Sequence, residues 1–376
     1  MIRRLLNKPV LRAVLGLAVV AGLGGALAVV AGLIPIKASS GHWPVTAWFL
    51  HFTMRRSIAT HSLGIEVPPL DDPGLVLKGA MHYDLGCRAC HGSPGMVLPR
   101  IAQQMTPHPP ALPSRIREMK PEEIFYVVKH GVKFTGMPAW PSRHRDDEVW
   151  AVVAFLRKLP DLDVAGYRRL VHGEPAVTAP IETLGGVPPT PQAAAQACAR
   201  CHGRDDLSRS DAFPKLAGQR HEYLQNSLEA YARGERHSGI MGPIATALDA
   251  ETIHELSRHY ASLSSSSTLA TGTENAAAIE RGKAIAQHGI PVQRVPSCVD
   301  CHGPGAKRGK SAYPALAGQP ADYLLLQLEL FKKGHRGGSA YAHLMDPVAT
   351  RLQPEQMRDV TLYFASLRPP TPVPRE

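Results

Sequence analysis

Six cysteines stand in this 376-residue chain, in three pairs of one design. Cys87-Arg88-Ala89-Cys90-His91, Cys198-Ala199-Arg200-Cys201-His202 and Cys298-Val299-Asp300-Cys301-His302 leave no cysteine over. Each sets two thiols about one helical turn apart and puts a histidine directly after the second. This is the attachment signature of c-type haem, in which two thioethers hold the porphyrin and the adjacent imidazole becomes the fifth ligand of the iron. Other chemistries want other patterns. Zinc needs four ligands, and no second Cys/His pair stands near any of the three motifs. A redox dithiol of the thioredoxin kind needs a βαβ setting, whereas the flanks here read as helix and loop. Disulfides suit an oxidising compartment, but three identical two-residue gaps each followed by histidine make a poor disulfide framework. The residues predict three covalently bound haem c groups with their iron.

A haem iron with one histidine still needs its sixth position assigned, because an open position means ligand chemistry and a filled one means electron transfer. Met241 is the only methionine between residues 167 and 274, so the second motif has one candidate. Met345 aligns with it behind the third motif, while Met357 aligns with Ile253 and reads as core. Behind the first motif, Met137 in Gly136-Met137-Pro138 precedes Glu148 by nearly the same interval as Met241 precedes Glu251. Met81, Met96, Met105 and Met119 compete there. The expected iron ligands are therefore His91 with Met137, His202 with Met241, and His302 with Met345. A methionine for every iron argues for an electron carrier without catalytic residues and against a haem peroxidase. Pro214 and Pro314 follow His202 and His302 at one and the same interval. Each keeps a carbonyl that could accept that histidine's other N–H.

The elements that must position these residues read as helix throughout. Helical spacing of apolar residues, such as Val149, Val152, Val153 and Leu156, predicts helices over 75–85, 121–131, 146–158, 192–200, 221–233, 250–263, 275–287, 320–333 and 354–367. No alternating strand pattern is present. The motifs recur roughly every hundred residues, which matches one small domain per haem. The second and third domains repeat each other beyond the motif: Phe213-Pro214-Lys215-Leu216-Ala217-Gly218-Gln219 matches Tyr313-Pro314-Ala315-Leu316-Ala317-Gly318-Gln319. Met241–Leu263 aligns without gaps on Met345–Leu367, with more than a third of the positions identical. The first domain lacks the Leu-Ala-Gly-Gln stretch. Expected boundaries are 71–160, 190–264 and 275–368 for the three domains, with linkers at 161–189 and 265–274 and a loose tail at 369–376.

Ahead of them lies a membrane signal. Arg3, Arg4, Lys8 and Arg12 precede an uncharged run from Ala13 to Ile36. As a helix it would reach about 36 Å, enough for a hydrocarbon core of about 30 Å. A cleaved signal peptide, cut near Ala38-Ser39-Ser40, usually has a shorter apolar region. Basic residues before the run put the N-terminus in the cytoplasm and the rest outside. Residues 1–37 thus read as an anchor. Residues 38–70, with Trp43, Trp48, Phe49 and Phe52, read as a juxtamembrane segment whose rings sit at the lipid interface or pack on the first domain. The formal charge is +10, but five of its basic residues lie in 1–37. No other basic cluster is flanked by stacking aromatics, so nucleic acid is not expected. Lys307, Arg308 and Lys310 read as a solvated face or, in the alternative, as a docking patch for an acidic partner.

Taken together, these motifs resemble class I cytochromes c. The second and third domains are similar to dihaem cytochrome c4, through C-x-x-C-H, the [FY]P-x-LAGQ segment, and Met-x-P ahead of a helix ending in Ala-Ser-Leu. The first resembles monohaem domains with Gly-Met-Pro-Ala-Trp before a helix such as 149–156. The resemblance implies an all-α fold of three tandem class I domains after one transmembrane helix, and His/Met ligation. It also implies electron transfer between respiratory redox partners in the periplasm, with the chain held in a bacterial inner membrane. Donors would be a dehydrogenase or a quinol-oxidising protein, and acceptors a terminal oxidase or a soluble cytochrome. The three-haem total is also similar to cytochrome subunits of membrane-bound alcohol and gluconate dehydrogenases, so membership of a dehydrogenase or oxidase complex is the alternative.

Overall fold

Helix starts in this chain are set by local chemistry. Asp72 accepts from the backbone N–H groups of Gly74 and Leu75 (3.3 and 2.7 Å), and Pro73 takes the first helical position, so a helix runs over Pro73–Gly86. Asp249 caps Ala250–Ser262 through the Thr252 N–H at 2.7 Å. Gln353 and Gln356 box the start of Pro354–Ser366, which also opens on proline. The computed structural model describes residues 8–96, 98–173, 190–204, 209–264, 275–303 and 311–369. All nine helices expected from apolar spacing are present, and their ends move by at most two residues. Among the described residues there is no strand, only isolated bridges at Ser93–Met96 and Ile290–Val295.

Each helical unit is organised by a crossing of its opening and closing helices. In the first unit Pro73–Gly86 crosses Asp146–Lys158 so closely that a Cβ on Gly79 would fall 1.8 Å from the Ala151 carbonyl oxygen. In the third, Ala276–His288 crosses Pro354–Ser366, and a Cβ on Gly282 would fall 2.0 Å from the Asp359 oxygen. Only glycine lets two helix backbones approach like this. The second unit has a shorter opening helix, Pro191–His202, whose last turn is the motif itself, and the Tyr260 hydroxyl ties it to the closing helix through the Ala195 carbonyl (3.3 Å).

Residues 161–189 are not all linker. Val164–His172 forms a helix capped by Asp163, and its Tyr167 and Val171 complete the core of the first unit beside Tyr83, Phe155 and Leu159. Its Val164, Tyr167, Leu170 and Val171 do carry helical spacing, over little more than two turns. Residues 174–189, 265–274 and 370–376 lie outside the described residues. The first unit also packs directly on the second, for Phe213 of the second joins its core.

The first helix, Lys8–Val30, has 23 residues and a length of about 35 Å. It starts earlier than the uncharged run and ends before Pro35. Pro9–Val30 is long and apolar enough to cross a membrane, as an anchor or a signal sequence would be. A second helix follows at Pro44–His61. Its Trp43 flank and its Trp48, Phe49 and Phe52 rings are exposed, with Trp48 stacked on Phe52 at 5.7 Å. It meets the first unit instead through His61, stacked on Tyr126.

The crossing makes a direct test. Gly79→Ala should cost the first unit about 1–3 kcal/mol through overpacking. Gly86→Ala, in the same helix with nothing within 4 Å of the added carbon, should be neutral or gain up to about 1 kcal/mol. Urea unfolding followed by circular dichroism measures both, and equal effects would show that the crossing tolerates a side chain.

Candidate haem sites

Each motif is placed by the end of its opening helix. Cys87 closes Pro73–Gly86, and Arg88–His91 makes one further turn. Cys198, Cys201 and His202 are the last residues of their helix. In the third unit a loop intervenes, and the Cys298 N–H donates to the Ala286 carbonyl (2.9 Å), folding the motif back onto its helix. Burial pushes the Cys87 and Cys198 thiols up to about 12 and those of Cys201 and Cys298 to about 11. That is the reverse of the depressed thiol a redox dithiol needs.

The motif histidines share one hydrogen bond. Nδ1 of His202 lies 3.0 Å from the Pro214 carbonyl oxygen and Nδ1 of His302 lies 2.9 Å from that of Pro314. In the first unit His91 Nδ1 lies 3.4 Å from the Pro110 oxygen. A carbonyl can only accept, so each Nδ1 carries the proton and each Nε2 keeps its lone pair for a metal. Burial lowers the pKa of all three imidazoles, which keeps them neutral. The spacing of Pro214 and Pro314 made them legible in advance. Pro110 was not, because it lies farther along the chain from its histidine than they do and outside the Leu-Ala-Gly-Gln repeat.

The three methionines sit on loops that precede the closing helices. The Met137 N–H donates to Thr135 Oγ1 (3.1 Å), and the Met241 N–H donates to Ser238 Oγ (3.0 Å) at the start of a short helix, Met241–Thr246. Met345 precedes the matching helix Asp346–Arg351. Of the competitors, Met357 is core beside Val295 and Leu352, while Met81 is fully buried with its sulfur 3.4 Å from Arg209 and lines the same cavity as Met137. A cavity of about 960 Å³ has Cys87, His91 and Met137 in its walls together with Cys198, His202 and Met241. Met105 and Met119 also reach it, as do Lys78, Arg145 and His82. Burial drives His82 down to about 3, and its Nδ1 has no hydrogen-bond partner. Lys78 and Arg145 beside two Cys/His motifs in largely apolar walls fit a flat apolar macrocycle that brings carboxylates, as haem does.

The units are joined by buried polar groups that the sequence did not single out. The Gln219 side chain bonds the backbone of Ala315 at both its ends (3.0 and 2.7 Å), and Gln319 does the same to Lys215 (2.8 and 3.1 Å). The repeated glutamines thus exchange places across the contact between the second and third units. Between the first and second, Asp84 binds the inner arginines of two motifs, Arg88 at 2.9 Å and Arg200 at 2.6 Å, and accepts from the Tyr167 hydroxyl at 2.8 Å. Arg209 adds bonds to the Leu170 and Val171 carbonyls. Lys307, Arg308 and Lys310 lie outside the described residues.

Asp84→Asn should strand Arg200, whose side chain is 2% exposed, at a cost of about 3–5 kcal/mol. Adding Arg200→Met should restore most of that in urea unfolding. A loss below about 1 kcal/mol in the single variant would put this pair in the class of weak surface bridges.

Residues 74–156 match the family model described as cytochrome c oxidase, cbb3-type, subunit III, and residues 279–368 match the cytochrome c model. A thiosulfate dehydrogenase electron acceptor of Thiomonas intermedia (strain K12) is 35% identical over 173 residues, covering 46% of this chain and 79% of the relative. Another, from Stutzerimonas stutzeri (strain A1501), is 35% identical over 188 residues, covering 50% and 84%. Cytochrome c4 of Pseudomonas aeruginosa is 29% identical over 177 residues, covering 47% and 86%. Cytochrome c domains imply covalent haem c, and the three Cys pairs supply three attachment motifs. With that helical architecture and those relatives, the chain belongs to the class I cytochrome c family, as a relative of the dihaem cytochromes c4.

Proposed function

We propose that this cytochrome is a membrane-anchored, periplasmic, trihaem electron carrier and not itself an enzyme. Cys87 and Cys90, Cys198 and Cys201, and Cys298 and Cys301 form the thioethers. His91 and Met137, His202 and Met241, and His302 and Met345 are the axial pairs. The haem domains occupy 71–173, 190–264 and 275–368, with the Val164–His172 helix belonging to the first. The observation that carries the reading is the histidine-to-proline-carbonyl bond repeated in all three units, which leaves three Nε2 atoms free as ligands. When bound, haem iron supplies one-electron oxidation and reduction. The chain's own residues fix the imidazole, exclude water with the apolar walls Ile124, Val128 and Val152, and offer cations to the propionates.

The helix Lys8–Val30 serves as an uncleaved inner-membrane anchor, and the exposed rings of Pro44–His61 lie at the lipid interface. Two relatives are named as electron acceptors of thiosulfate dehydrogenase, which supports a periplasmic dehydrogenase as donor here. A quinol-oxidising protein is the other donor class, and a terminal oxidase or soluble cytochrome the acceptor. The match of residues 74–156 to an oxidase subunit also supports a second reading, a subunit of a stable oxidoreductase complex. Purification from mild detergent separates the two, since a carrier emerges alone and a subunit brings its enzyme.

A pyridine haemochrome assay against protein mass should return three haems per chain, and two after Cys298 and Cys301 are replaced by alanine. Met241→Ala should turn one iron high-spin, lower its potential and remove part of the near-infrared sulfur-to-iron band. An unchanged band would overturn that ligand.

A further inference from the structure

One buried carboxylate lies between the first two units. Glu148 opens the closing helix of the first unit and is 3% exposed. It accepts from Trp140 Nε1 (3.0 Å), Ser238 Oγ (2.6 Å) and the Gly239 N–H (2.6 Å), and pairs with the Arg145 guanidinium at 3.0 Å. All four partners are donors, the set that an ionised carboxylate accepts. Burial pushes the Glu148 carboxyl up, and the donors are set against that.

Where these partners lie in the chain is the informative part. Trp140 follows Met137 by three residues, and its own N–H donates to the Lys129 carbonyl (3.1 Å), fixing the return of that loop. Ser238 precedes Met241 by three residues, and its Oγ accepts from the N–H groups of Met241 (3.0 Å) and Ile240 (3.3 Å). One side chain therefore holds the loops of both sixth ligands. The loops also touch directly: a Cβ on Gly239 would fall 2.2 Å from Trp140 Nε1, so the indole lies against bare backbone. Glu148, Trp140 and Gly239 all stand in the wall of the cavity that reaches both motifs.

We infer that Glu148 is the positioning residue for electron exchange between the first and second haem sites, clamping the Met137 and Met241 loops so that the Trp140–Gly239 contact joins the two pockets. The inference rests on Met137 and Met241 being the sixth ligands. The step is a one-electron exchange, in which one site is oxidised as the other is reduced and no bond or proton moves. It makes the first and second sites a coupled pair, in addition to the pairing of the second and third that their repeat suggests. The clamp also gives the two sites a shared electrostatic neighbour, so its charge acts on both potentials at once.

The test uses the full chain with three haems loaded. Glu148→Gln keeps the size but removes the charge and turns one acceptor into a donor facing donors. The expected result is about a tenfold or greater loss in the rate of exchange between the first two sites, timed after flash reduction, since hydrogen bonds to a charged group that hold both loops are lost. Two of three waves in a spectroelectrochemical titration should move, while the third stays in place. Glu148→Asp should restore part of the rate. Should Glu148→Gln fail to fold or load, Ser238→Ala decides the matter. It leaves Trp140, Arg145 and Gly239 on Glu148, and should move the second site's wave and slow the same exchange. Wild-type rates and unmoved waves in the folded variants overturn the clamp. The ligand assignment fails separately, by an unchanged sulfur-to-iron band in Met241→Ala.

Discussion

An imidazole can offer Nε2 to a metal in a fixed direction only while its Nδ1 proton is held elsewhere, and in this chain a proline carbonyl holds it three times. Much else serves that bond. Pro214 and Pro314 sit on segments pinned by Gly218 and Gly318, whose N–H groups donate to Tyr260 and Phe364 carbonyls at the ends of the closing helices (3.1 and 2.9 Å). The closing helices are in turn pinned to the opening ones, against whose ends the motifs are held, directly in the first two units and through the Cys298 N–H to the Ala286 carbonyl in the third. The glycine crossings at Gly79 and Gly282 therefore bear on ligand direction as well as on packing, because they set where each opening helix ends.

The contacts between units are polar to an unusual degree. Gln219, Gln319, Asp84 and Glu148 are each at most 6% exposed, and each makes bonds that cross from one unit to another. Buried pairs of this kind add little net stability over apolar contacts, but an unpaired member is costly, so misaligned arrangements are penalised. For a chain whose task is to pass electrons between fixed centres, such selectivity is the useful property. The glutamines join the second unit to the third, and the carboxylates join the first to the second.

The N-terminal part follows a different logic. The helix Lys8–Val30 leaves its apolar side chains exposed, and the rings of Pro44–His61 are exposed as well. Both are surfaces a soluble domain would normally cover. Contact of Pro44–His61 with the first unit through His61 and Tyr126 brings that unit nearest to these exposed surfaces.

What the sequence determined by itself was the chemistry and the local structure. Two thiols and a histidine in one short stretch are a complete attachment motif, because covalent chemistry at one turn of helix needs nothing distant. Helix starts are set just as locally, since Asp72, Asp249 and the prolines at first helical positions act within one turn. Met241 stands out as the candidate sixth ligand of its domain because that domain holds no other methionine. The tertiary structure alone decided which units touch and through what. Asp84 and Arg200 are 116 positions apart and Glu148 and Ser238 are 90 apart. Nothing in an aspartate near a motif, or in a motif's inner arginine, distinguishes a partner across an interface from a solvated charge. The docking of the helix Val164–His172 was decided likewise, since its Tyr167 and Val171 are core only where the first unit leaves room for them. Periodicity reports how one element meets water, whereas the pairing of units depends on shape and burial that no single segment contains.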